Sequence, residues 1–417
     1  MNLTLTKITN LTLLAFLFAL SISTANSSNL NSYNKKSTPL ILISIDGFRY
    51  DYIEKYQPPT LLSLIKNGVQ AEKMNPIYPS KTFPNHITLV TGMYPKNHGI
   101  VHNSFFDESI NDIYRMGKAF DNPKWMQGTP LWIHAERHGV KSASYFWPES
   151  DSKLEGISAS YSYKYNKKTP YGERINQIVS WLKLPENIRP KFITSYFSLV
   201  DDKGHRFGPD SDQVRKAVIE VDRHLGNLKK RIENELKIQV NLVVVSDHGM
   251  IDISNGEKMN WTKLDDFSNY RVINGTTQLM VYAKNKPSIK KLSQHVKRLN
   301  NKSDGRYIAY LKEDLPKNTH YFNNDRIADI IVEAIAPAIF VKDDKSEHYS
   351  KGMHGYDPNL LPEMGAFFVA NGPDFKSGLT IPAFDNIHVF PLLNYLLDLP
   401  MPTNIDGRLD VLKPIIK

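Results

Sequence analysis

Apolar runs separated by helical patterns dominate the order of hydrophobic and polar positions along this chain. Residues 40–45 are almost continuously apolar, which is typical of a strand buried on both faces in a parallel sheet. Similar runs recur at residues 192–197, 240–245 and 366–370. Apolar side chains follow a helical spacing between them, as in residues 214–232. This alternation predicts an α/β fold with a doubly wound, mostly parallel sheet flanked by helices.

The later half of the chain has a different pattern. Shorter strand candidates occur at residues 279–283, 307–311 and 327–333, after a helical stretch or loops. They predict extra antiparallel structure in a small additional lobe. In open α/β sheets ligands bind at the carboxyl ends of the strands, so candidate chemistry is sought there.

The first 25 residues differ from the rest of the chain. Lys7 is their only charge, residues 11–22 are almost wholly apolar, and small residues follow. This pattern predicts a signal peptide at residues 1–25, because the apolar run is shorter than the ~20 residues of a spanning helix. A flexible leader is predicted at residues 26–38 and the folded domain at 39–417. We therefore expect export to the periplasm or the exterior of a bacterium, with no membrane span after cleavage.

Composition narrows the chemistry. The chain has no cysteine, so no disulfide supports the fold and any zinc must be bound by imidazole, carboxylate or hydroxyl, as in catalytic sites. The formal net charge of +9 suits an anionic substrate. The lysines are scattered and predict no nucleic-acid groove. The sequence does not predict an oligomeric state.

Two polar segments follow the first predicted strand. Asp46 comes directly after it, and Gly47 allows the sharp turn that points a carboxylate into the crevice. Pro84 suits the first turn of a helix, which places Thr82 at or near the N-cap, where backbone N–H groups attract phosphate oxygens. A turn aspartate and a capping threonine are the alternatives. Only a metal would make this hydroxyl a strong nucleophile.

Three further segments offer metal ligands. Asp201 and His205 are four residues apart, and Gly204, Gly208 and Pro209 favour a turn over a helix there. Two other segments supply Asp247 with His248, after the strand at 240–245, and His354 between glycines. Each alone could be a hydrogen-bonded pair or a solvated histidine, and we interpret Asp202 and His86 as structural. Acidic groups crowded at several strand ends favour bound divalent cations.

Together these segments resemble the ectonucleotide pyrophosphatase/phosphodiesterase family, a branch of the alkaline phosphatase superfamily. The resemblance extends from about Pro39 to Val411. It rests on five motifs in family order: Asp-Gly-Phe-Arg, Lys-Thr-Phe-Pro-Asn-His, Asp-x-x-x-His-x-x-Gly-Pro, Ser-Asp-His-Gly-Met and His-Gly-Tyr. The chain departs from the family pattern at Leu199-Val200 and at Glu149, which leaves the substrate pocket less defined than the metal ligands.

The resemblance implies a set of site residues. It implies that one zinc is held by Asp46, Thr82, Asp247 and His248. A second zinc would be held by Asp201, His205 and His354. Asn103 matches the family asparagine that hydrogen-bonds a phosphate oxygen. Phe83 and Tyr165 look like the aromatics that sandwich a nucleobase, and Tyr196 like a neighbouring pocket residue.

The resemblance also implies a reaction: two-metal phosphoryl transfer in which Thr82 attacks phosphorus and a phosphothreonine is then hydrolysed. The predicted substrate is a small phosphodiester or pyrophosphate, nucleotide-like, with release of a nucleoside monophosphate. The alternative is a phospholipid or glycerophosphodiester phosphodiesterase on the same metal centre. A phosphate monoesterase, a serine-derived sulfatase and a non-catalytic binding protein of the same fold stay open, whereas a cysteine-derived sulfatase is excluded.

Overall fold

The computed structural model describes residues 38–285, 287–342 and 350–417. The predicted signal peptide and all but the last residue of the predicted leader lie outside these ranges. The described residues belong to one compact unit. The division of the chain at residues 25 and 38 therefore stays a prediction.

An eight-stranded, mostly parallel sheet forms the centre of the described chain. The strands, from one edge to the other, are Leu379–Ile381, Val69–Ala71, Phe368–Asn371, Asn241–Val245, Leu40–Ile45, Phe192–Phe197, Ser142–Tyr145 and Tyr161–Tyr163. Strand Leu40–Ile45 is parallel to both of its neighbours, with Leu40 opposite Phe192 and Asn241. The predicted α/β class and mostly parallel sheet are confirmed.

One strand of this sheet runs against the expected direction. Strand Phe368–Asn371 is antiparallel to both Asn241–Val245 and Val69–Ala71, although the apolar run at 366–370 suggested another parallel strand. A continuous apolar run reports burial on both faces of a sheet, and this strand is buried between two neighbours. Burial does not encode direction, so the prediction was wrong on this point.

Helices cover both faces of the sheet. The α-helices of the described residues are Tyr52–Tyr56, Pro59–Lys66, Thr82–Thr91, Pro95–His98, Leu131–Arg137, Tyr171–Leu182, Leu199–Phe207, Asp212–Arg231, Ile289–Lys302 and Val389–Leu396. Side chains alternate across the central strand: Ile41 and Ile43 pack with helices Tyr171–Leu182 and Asp212–Arg231, whereas Leu42 joins a second core. That second core includes helices Thr82–Thr91, Leu131–Arg137 and Val389–Leu396. Two cores on one sheet make the fold doubly wound.

A second, antiparallel sheet forms the predicted additional lobe. Its strands, in spatial order, are Tyr270–Asn274, Gln278–Ala283, Ile330–Ala334 and Tyr307–Leu311. Leu292 and Leu299 of helix Ile289–Lys302 share the core of this sheet. The strand expected at 327–333 begins three residues later than predicted.

Short ladders connect the larger elements. The two-stranded pairs are Ser104–Asp107 with Asp112–Arg115, Ile251–Asp252 with Gly352–Met353, Lys258–Asn260 with Ile339–Val341, and Met74–Asn75 with Phe384–Asp385. The first is an antiparallel hairpin. No helix within the described ranges is long and apolar enough to cross a membrane.

Candidate active site and metal centre

The candidate site lies where three neighbouring strands end. Asp46 follows Leu40–Ile45, Asp201 follows Phe192–Phe197 after three residues, and Asp247 and His248 follow Asn241–Val245 closely. Because these strands are adjacent and parallel, their carboxyl ends meet at one edge of the sheet. The polar residues predicted at separate strand ends are thereby brought together.

Gly47 provides the turn that the first of these ends requires. Its φ of 68° lies in the left-handed region that glycine adopts without strain. A Cβ at this position would lie 2.9 Å from the Cα and Cβ of Asp201. The glycine therefore allows the first strand end to approach the Asp201 segment closely, and the Asp201 N–H donates to the Asp46 carbonyl.

His248 is the centre of the first predicted ligand group. Its Nε2 lies 3.3 Å from Asp46 Oδ1, 3.0 Å from Asp247 Oδ2 and 3.3 Å from Thr82 Oγ1. All four residues are buried. The structure therefore assembles Asp46, Thr82, Asp247 and His248 within coordinating reach of one point.

Thr82 is the first residue of helix Thr82–Thr91. Lys81 precedes it in an extended conformation and is the N-cap, so the predicted position near the helix start holds. The first N–H groups of a helix have no intrahelical partner and carry partial positive charge. The Thr82 hydroxyl thus lies where both a metal and an anionic phosphate are favoured.

The second predicted ligand group adjoins the first. Asp201 Oδ1 lies 3.4 Å from His205 Nε2 and 3.8 Å from His354 Nε2. The imidazoles of His248 and His354 stack with ring centroids 3.6 Å apart. Asp201, His248 and His354, and separately Asp46, Asp247 and His248, offer ligand atoms within 4.8 Å of one another.

Asp201 and His205 lie on a helix, not on the turn that the sequence suggested. Helix Leu199–Phe207 contains both, and it ends at Gly208, whose φ is 93°. A Cβ on Gly204 would lie 2.5 Å from Met250 Sδ. This glycine therefore serves close packing of the helix, a reason that the sequence pattern could not show.

The candidate histidine ligands share one orientation. His205 Nδ1 lies 2.8 Å from the Gly352 carbonyl, His248 Nδ1 2.9 Å from the Gly249 carbonyl and His354 Nδ1 2.8 Å from the Ser80 carbonyl. A carbonyl accepts only, so each Nδ1 must carry the proton and donate it. The Nε2 lone pairs are then directed at the acidic cluster, as in histidines that bind metals.

The carboxylates of the cluster lack the partners that buried charges need. Three buried oxygens accept no hydrogen bond: Asp46 Oδ1, Asp201 Oδ1 and Asp247 Oδ2. Burial, followed by the charges of Asp247 and Asp201, raises the pKa of Asp46 well above its usual value. Divalent cations would remove this repulsion and satisfy all three oxygens, so the donor set fits such ions.

The neighbouring groups show the same imbalance. Burial alone would raise the pKa of Asp247, but the His248 and His86 imidazoles outweigh it and hold that pKa well below its usual value. Burial, then His248 and Lys81, lowers the pKa of His354 well below its ordinary value. A neutral His354 has the free lone pair that a metal ligand needs.

Asn103 and Phe83 lie beside the start of the Thr82 helix. The Phe83 N–H donates to Asn103 Oδ1 over 2.9 Å. This bond assigns the oxygen of Asn103 to the helix and leaves its amide group as the donor for a ligand. Phe83 is partly exposed, and its ring lies 6.5 Å from that of Tyr114.

Tyr196 contacts Asp46 directly, and Tyr165 contacts Tyr196. The Tyr196 hydroxyl donates to Asp46 Oδ2, so Tyr196 orients a candidate ligand. The Tyr165 ring lies 6.1 Å from the Tyr196 ring and 5.3 Å from the Phe146 ring, and 46% of Tyr165 is exposed. An exposed aromatic beside the cluster is available to a ligand.

Two further residues support the cluster from behind. His86 contacts Ser44 Oγ at 2.8 Å and the Thr82 carbonyl at 2.8 Å, and its Nδ1 lies 3.3 Å from Asp247 Oδ2. Buried Lys81, which sequence reasoning missed, donates to the His354 carbonyl over 2.9 Å, and burial lowers its pKa to about 7. Its position next to Thr82 was the only feature of the sequence that could have indicated a place for Lys81 in the site.

Asp202 belongs to a separate contact on the surface side of its helix. Its carboxylate accepts from Ser198 Oγ over 3.1 Å and pairs with Lys167 at 2.6 Å. This agrees with the structural interpretation of Asp202.

This sheet and its strand-end cluster define an alkaline-phosphatase-like fold with a candidate centre for divalent metals. The family described as "Type I phosphodiesterase / nucleotide pyrophosphatase" matches residues 40–357, and the chain belongs to that family. The venom phosphodiesterase of Naja atra is 37% identical over 382 residues, which cover 88% of this chain and 45% of the relative. Human ectonucleotide pyrophosphatase/phosphodiesterase family member 1 is 35% identical over 392 residues, covering 88% of this chain and 41% of the relative.

A solved structure extends the comparison to the fold. Murine ectonucleotide pyrophosphatase/phosphodiesterase 5, as an inactive threonine-to-alanine variant in complex with AMP, superposes with a TM-score of 0.83. It is 31% identical, and the match covers 91% of this chain and all of the murine chain. This chain spans less than half of the length of the two curated relatives.

Proposed function

We propose that this chain is a two-zinc phosphodiesterase and nucleotide pyrophosphatase that forms a phosphothreonine on Thr82 and releases a nucleoside monophosphate. One observation carries the proposal. Thr82 Oγ1 lies 3.3 Å from His248 Nε2, inside a group of buried carboxylate oxygens that accept no hydrogen bond. A hydroxyl at this point is the one that bound cations would activate.

The ligand chemistry supports zinc. The cluster combines imidazole nitrogens with carboxylate oxygens, and the chain contains no thiolate. Zinc accepts this donor set, whereas magnesium and calcium prefer oxygen ligands alone. Asp46, Thr82, Asp247 and His248 would hold one ion and Asp201, His205 and His354 the other. When bound, the two ions supply positive charge that favours the Thr82 alkoxide and offsets the charge on the phosphoryl oxygens.

The chain's own residues then account for the two chemical steps. Thr82 Oγ1 attacks phosphorus, the bond from phosphorus to the leaving oxygen breaks, and the phosphoryl group becomes an ester of Thr82. Water cleaves this ester and regenerates the hydroxyl. Asn103, held through its Oδ1 by the Phe83 N–H, points its amide donor at a phosphoryl oxygen, a contact worth about 3 kcal/mol in comparable sites.

The substrate proposal rests on the aromatic side chains beside the cluster. Phe83 and the exposed Tyr165 would contact the base of a nucleotide. The complex of the murine relative with AMP supports this assignment, and its inactive threonine-to-alanine variant supports a threonine nucleophile.

A panel of chromogenic esters tests the function on the purified protein. We expect zinc-dependent hydrolysis of a nitrophenyl nucleotide ester, faster than that of nitrophenyl phosphorylcholine and of nitrophenyl phosphate. Removal of zinc by a chelator should abolish the activity, and added zinc should restore it. A preference for the choline ester would instead assign a phospholipid-type substrate, and a preference for nitrophenyl phosphate would assign a monoesterase.

The boundaries and destination of the protein belong to the same proposal. We assign residues 39–417 to the catalytic domain and residues 1–25 to an export signal. The names of the relatives, a venom enzyme and an ectonucleotide enzyme, support export. Amino-terminal sequencing of the mature protein tests both assignments.

A further inference from the structure

Glu149 adopts a backbone conformation that is unusual for its residue type. Its φ is 61°, in the left-handed region that glycine adopts without strain, and only 2% of the residue is exposed. Phe146, three residues earlier, has a φ of 73°. A non-glycine residue in this region costs on the order of 1 kcal/mol, so the surrounding contacts must hold it there.

The carboxylate of Glu149 supplies those contacts. Glu149 Oε1 accepts from the Tyr114 hydroxyl and, over 3.1 Å, from the Gly117 N–H. Oε2 accepts from the Ala119 N–H over 3.1 Å. The buried Glu149 carboxylate therefore holds the chain at three positions, Tyr114, Gly117 and Ala119.

This hairpin begins at the candidate phosphate contact. Strand Ser104–Asp107 directly follows Asn103, and it pairs with Asp112–Arg115, which contains Tyr114. The Ser104 hydroxyl donates to the Tyr114 carbonyl over 3.0 Å. The Tyr114 ring packs against Phe83, so Glu149 holds the structure against which this candidate base contact packs, whereas Asn103 Oδ1 is held by the Phe83 N–H.

Trp147, two residues before Glu149, is connected to the candidate metal ligands. Trp147 Nε1 donates to the His86 carbonyl over 3.2 Å, and His86 contacts Asp247. The short segment from Trp147 to Glu149 therefore joins the metal ligands on one side to the hairpin on the other.

We propose that Glu149 is a positioning residue that sets the distance between the nucleoside-binding side of the site and the metal cluster. This inference rests on the proposed function and adds a specificity-determining residue to it. The Glu149 carboxylate accepts from Tyr114, Gly117 and Ala119, none of which is a candidate metal ligand. Its loss should therefore weaken recognition of the nucleoside and leave the phosphoryl chemistry intact.

Two substrates that differ only in the nucleoside separate these effects. For Glu149→Gln we expect the KM of a nitrophenyl nucleotide ester to rise about tenfold with kcat within about twofold. Hydrolysis of bis(nitrophenyl) phosphate, which has no nucleoside, should stay within about twofold of the wild type. Glutamine keeps the shape and one acceptor oxygen but cannot accept with its amide nitrogen.

Glu136 offers a matched control. It also accepts from backbone N–H groups, those of Ser142 and Ser160, but it lies away from the hairpin. Glu136→Gln should leave both substrates within about twofold. Tyr114→Phe removes the hydroxyl that donates to Glu149, so it should raise the KM of the nitrophenyl nucleotide ester about threefold. This second variant tests the contact even if Glu149→Gln folds poorly.

Binding measurements keep this test separate from the test of function. Calorimetry with AMP and with inorganic phosphate needs no turnover, and Glu149→Gln should weaken AMP about tenfold without weakening phosphate. If the variant loses both ligands equally, or neither, Glu149 has no selective role and the inference is wrong. If the wild-type protein binds AMP but hydrolyses neither ester, the proposed function fails, and the calorimetry of Glu149→Gln still decides whether Glu149 has its selective role.

Discussion

The cluster of candidate metal ligands and the aromatic side of the candidate site are built in different ways. The candidate ligand cluster takes Asp46, Asp247 and His248 from the first few residues after buried parallel strands, and Asp201 from the helix that follows another. The aromatic side takes Tyr165 from a stretch beyond an edge strand and Phe83 from a helix start, and a hairpin segment supports it. Strand ends are fixed by the core of the sheet, whereas loops are fixed by individual contacts.

The difference separates chemistry from recognition. Residues at the ends of central strands can be displaced only by disturbing the core, so their geometry suits a reaction that tolerates little error. The aromatic side depends on contacts such as the Glu149 hydrogen bonds, each of which a single substitution can remove. Changes in the cluster should therefore alter kcat, and changes in the aromatic side should alter KM.

The largest expected effect is that of Thr82→Ala. Loss of the attacking oxygen should lower kcat at least about 1,000-fold with either ester, while most of the bound zinc remains. Activity of the purified variant and its zinc content by atomic absorption check this. Thr82→Ser keeps a hydroxyl and should retain measurable turnover, and full activity of Thr82→Ala would contradict the assigned nucleophile.

His354→Ala should come next, with a loss of roughly 100-fold in kcat. The variant lacks a ligand of one site only, so its zinc content should fall from about two equivalents to about one. His138, whose Nδ1 contacts the His134 carbonyl away from the cluster, provides the control substitution His138→Ala. Two retained equivalents in His354→Ala would remove this histidine from the ligand set.

Stability should depend on pH through Glu149. Burial is the main cause that raises its pKa to about 7, Asp151 adds to it, and the Tyr114 hydroxyl and two backbone N–H groups oppose it. Because the folded-state pKa is raised, the stability that Glu149 contributes is full below the ordinary value near 4.5 and is lost as the pH rises to about 7.

Glu149→Gln removes this titration, so the two proteins should diverge between pH 4.5 and 7. Over that interval the free energy of unfolding of the wild type should fall by about 2 kcal/mol relative to the variant. Urea titrations at several pH values measure the difference. Parallel pH profiles for the two proteins would show that Glu149 is not buried as an acid.

The smallest expected effect is that of Tyr165→Ala. Loss of one stacking surface should raise the KM of the nucleotide ester about fivefold and leave bis(nitrophenyl) phosphate unchanged. Tyr163 is 43% exposed but packs toward Tyr145 and Trp181, so Tyr163→Ala is a matched control. Equal effects of the two substitutions would remove Tyr165 from the pocket.

The sequence predicted the parts of the molecule that the core determines. The apolar runs located the central strands, and the family motifs named the candidate metal ligands, which the structure brings close together. The direction of strand Phe368–Asn371 was wrong because burial is the same in either direction. The helix around Asp201 and His205 was missed because Gly204 was interpreted as a turn residue, although it lies against Met250.

The support of the aromatic side was not predictable in the same way. Glu149 was recognised only as a departure from the family pattern, since its partners Tyr114 and Ala119 lie about 30 residues away in the chain. Likewise, nothing local to Tyr196 indicates that its hydroxyl donates to Asp46. Such contacts follow from tertiary packing, which one sequence does not display.

The reciprocal contacts between Ser80, Lys81 and His354 have a consequence for the order in which the candidate site assembles during biosynthesis. His354 donates to the Ser80 carbonyl, and Lys81 donates to the His354 carbonyl, so the segment before Thr82 is held by a residue more than 270 positions later. A nascent polypeptide that has not yet left the ribosome as far as His354 lacks both of these hydrogen bonds and this candidate ligand. The segment before Thr82 therefore cannot take up this arrangement until the chain has been made past residue 354.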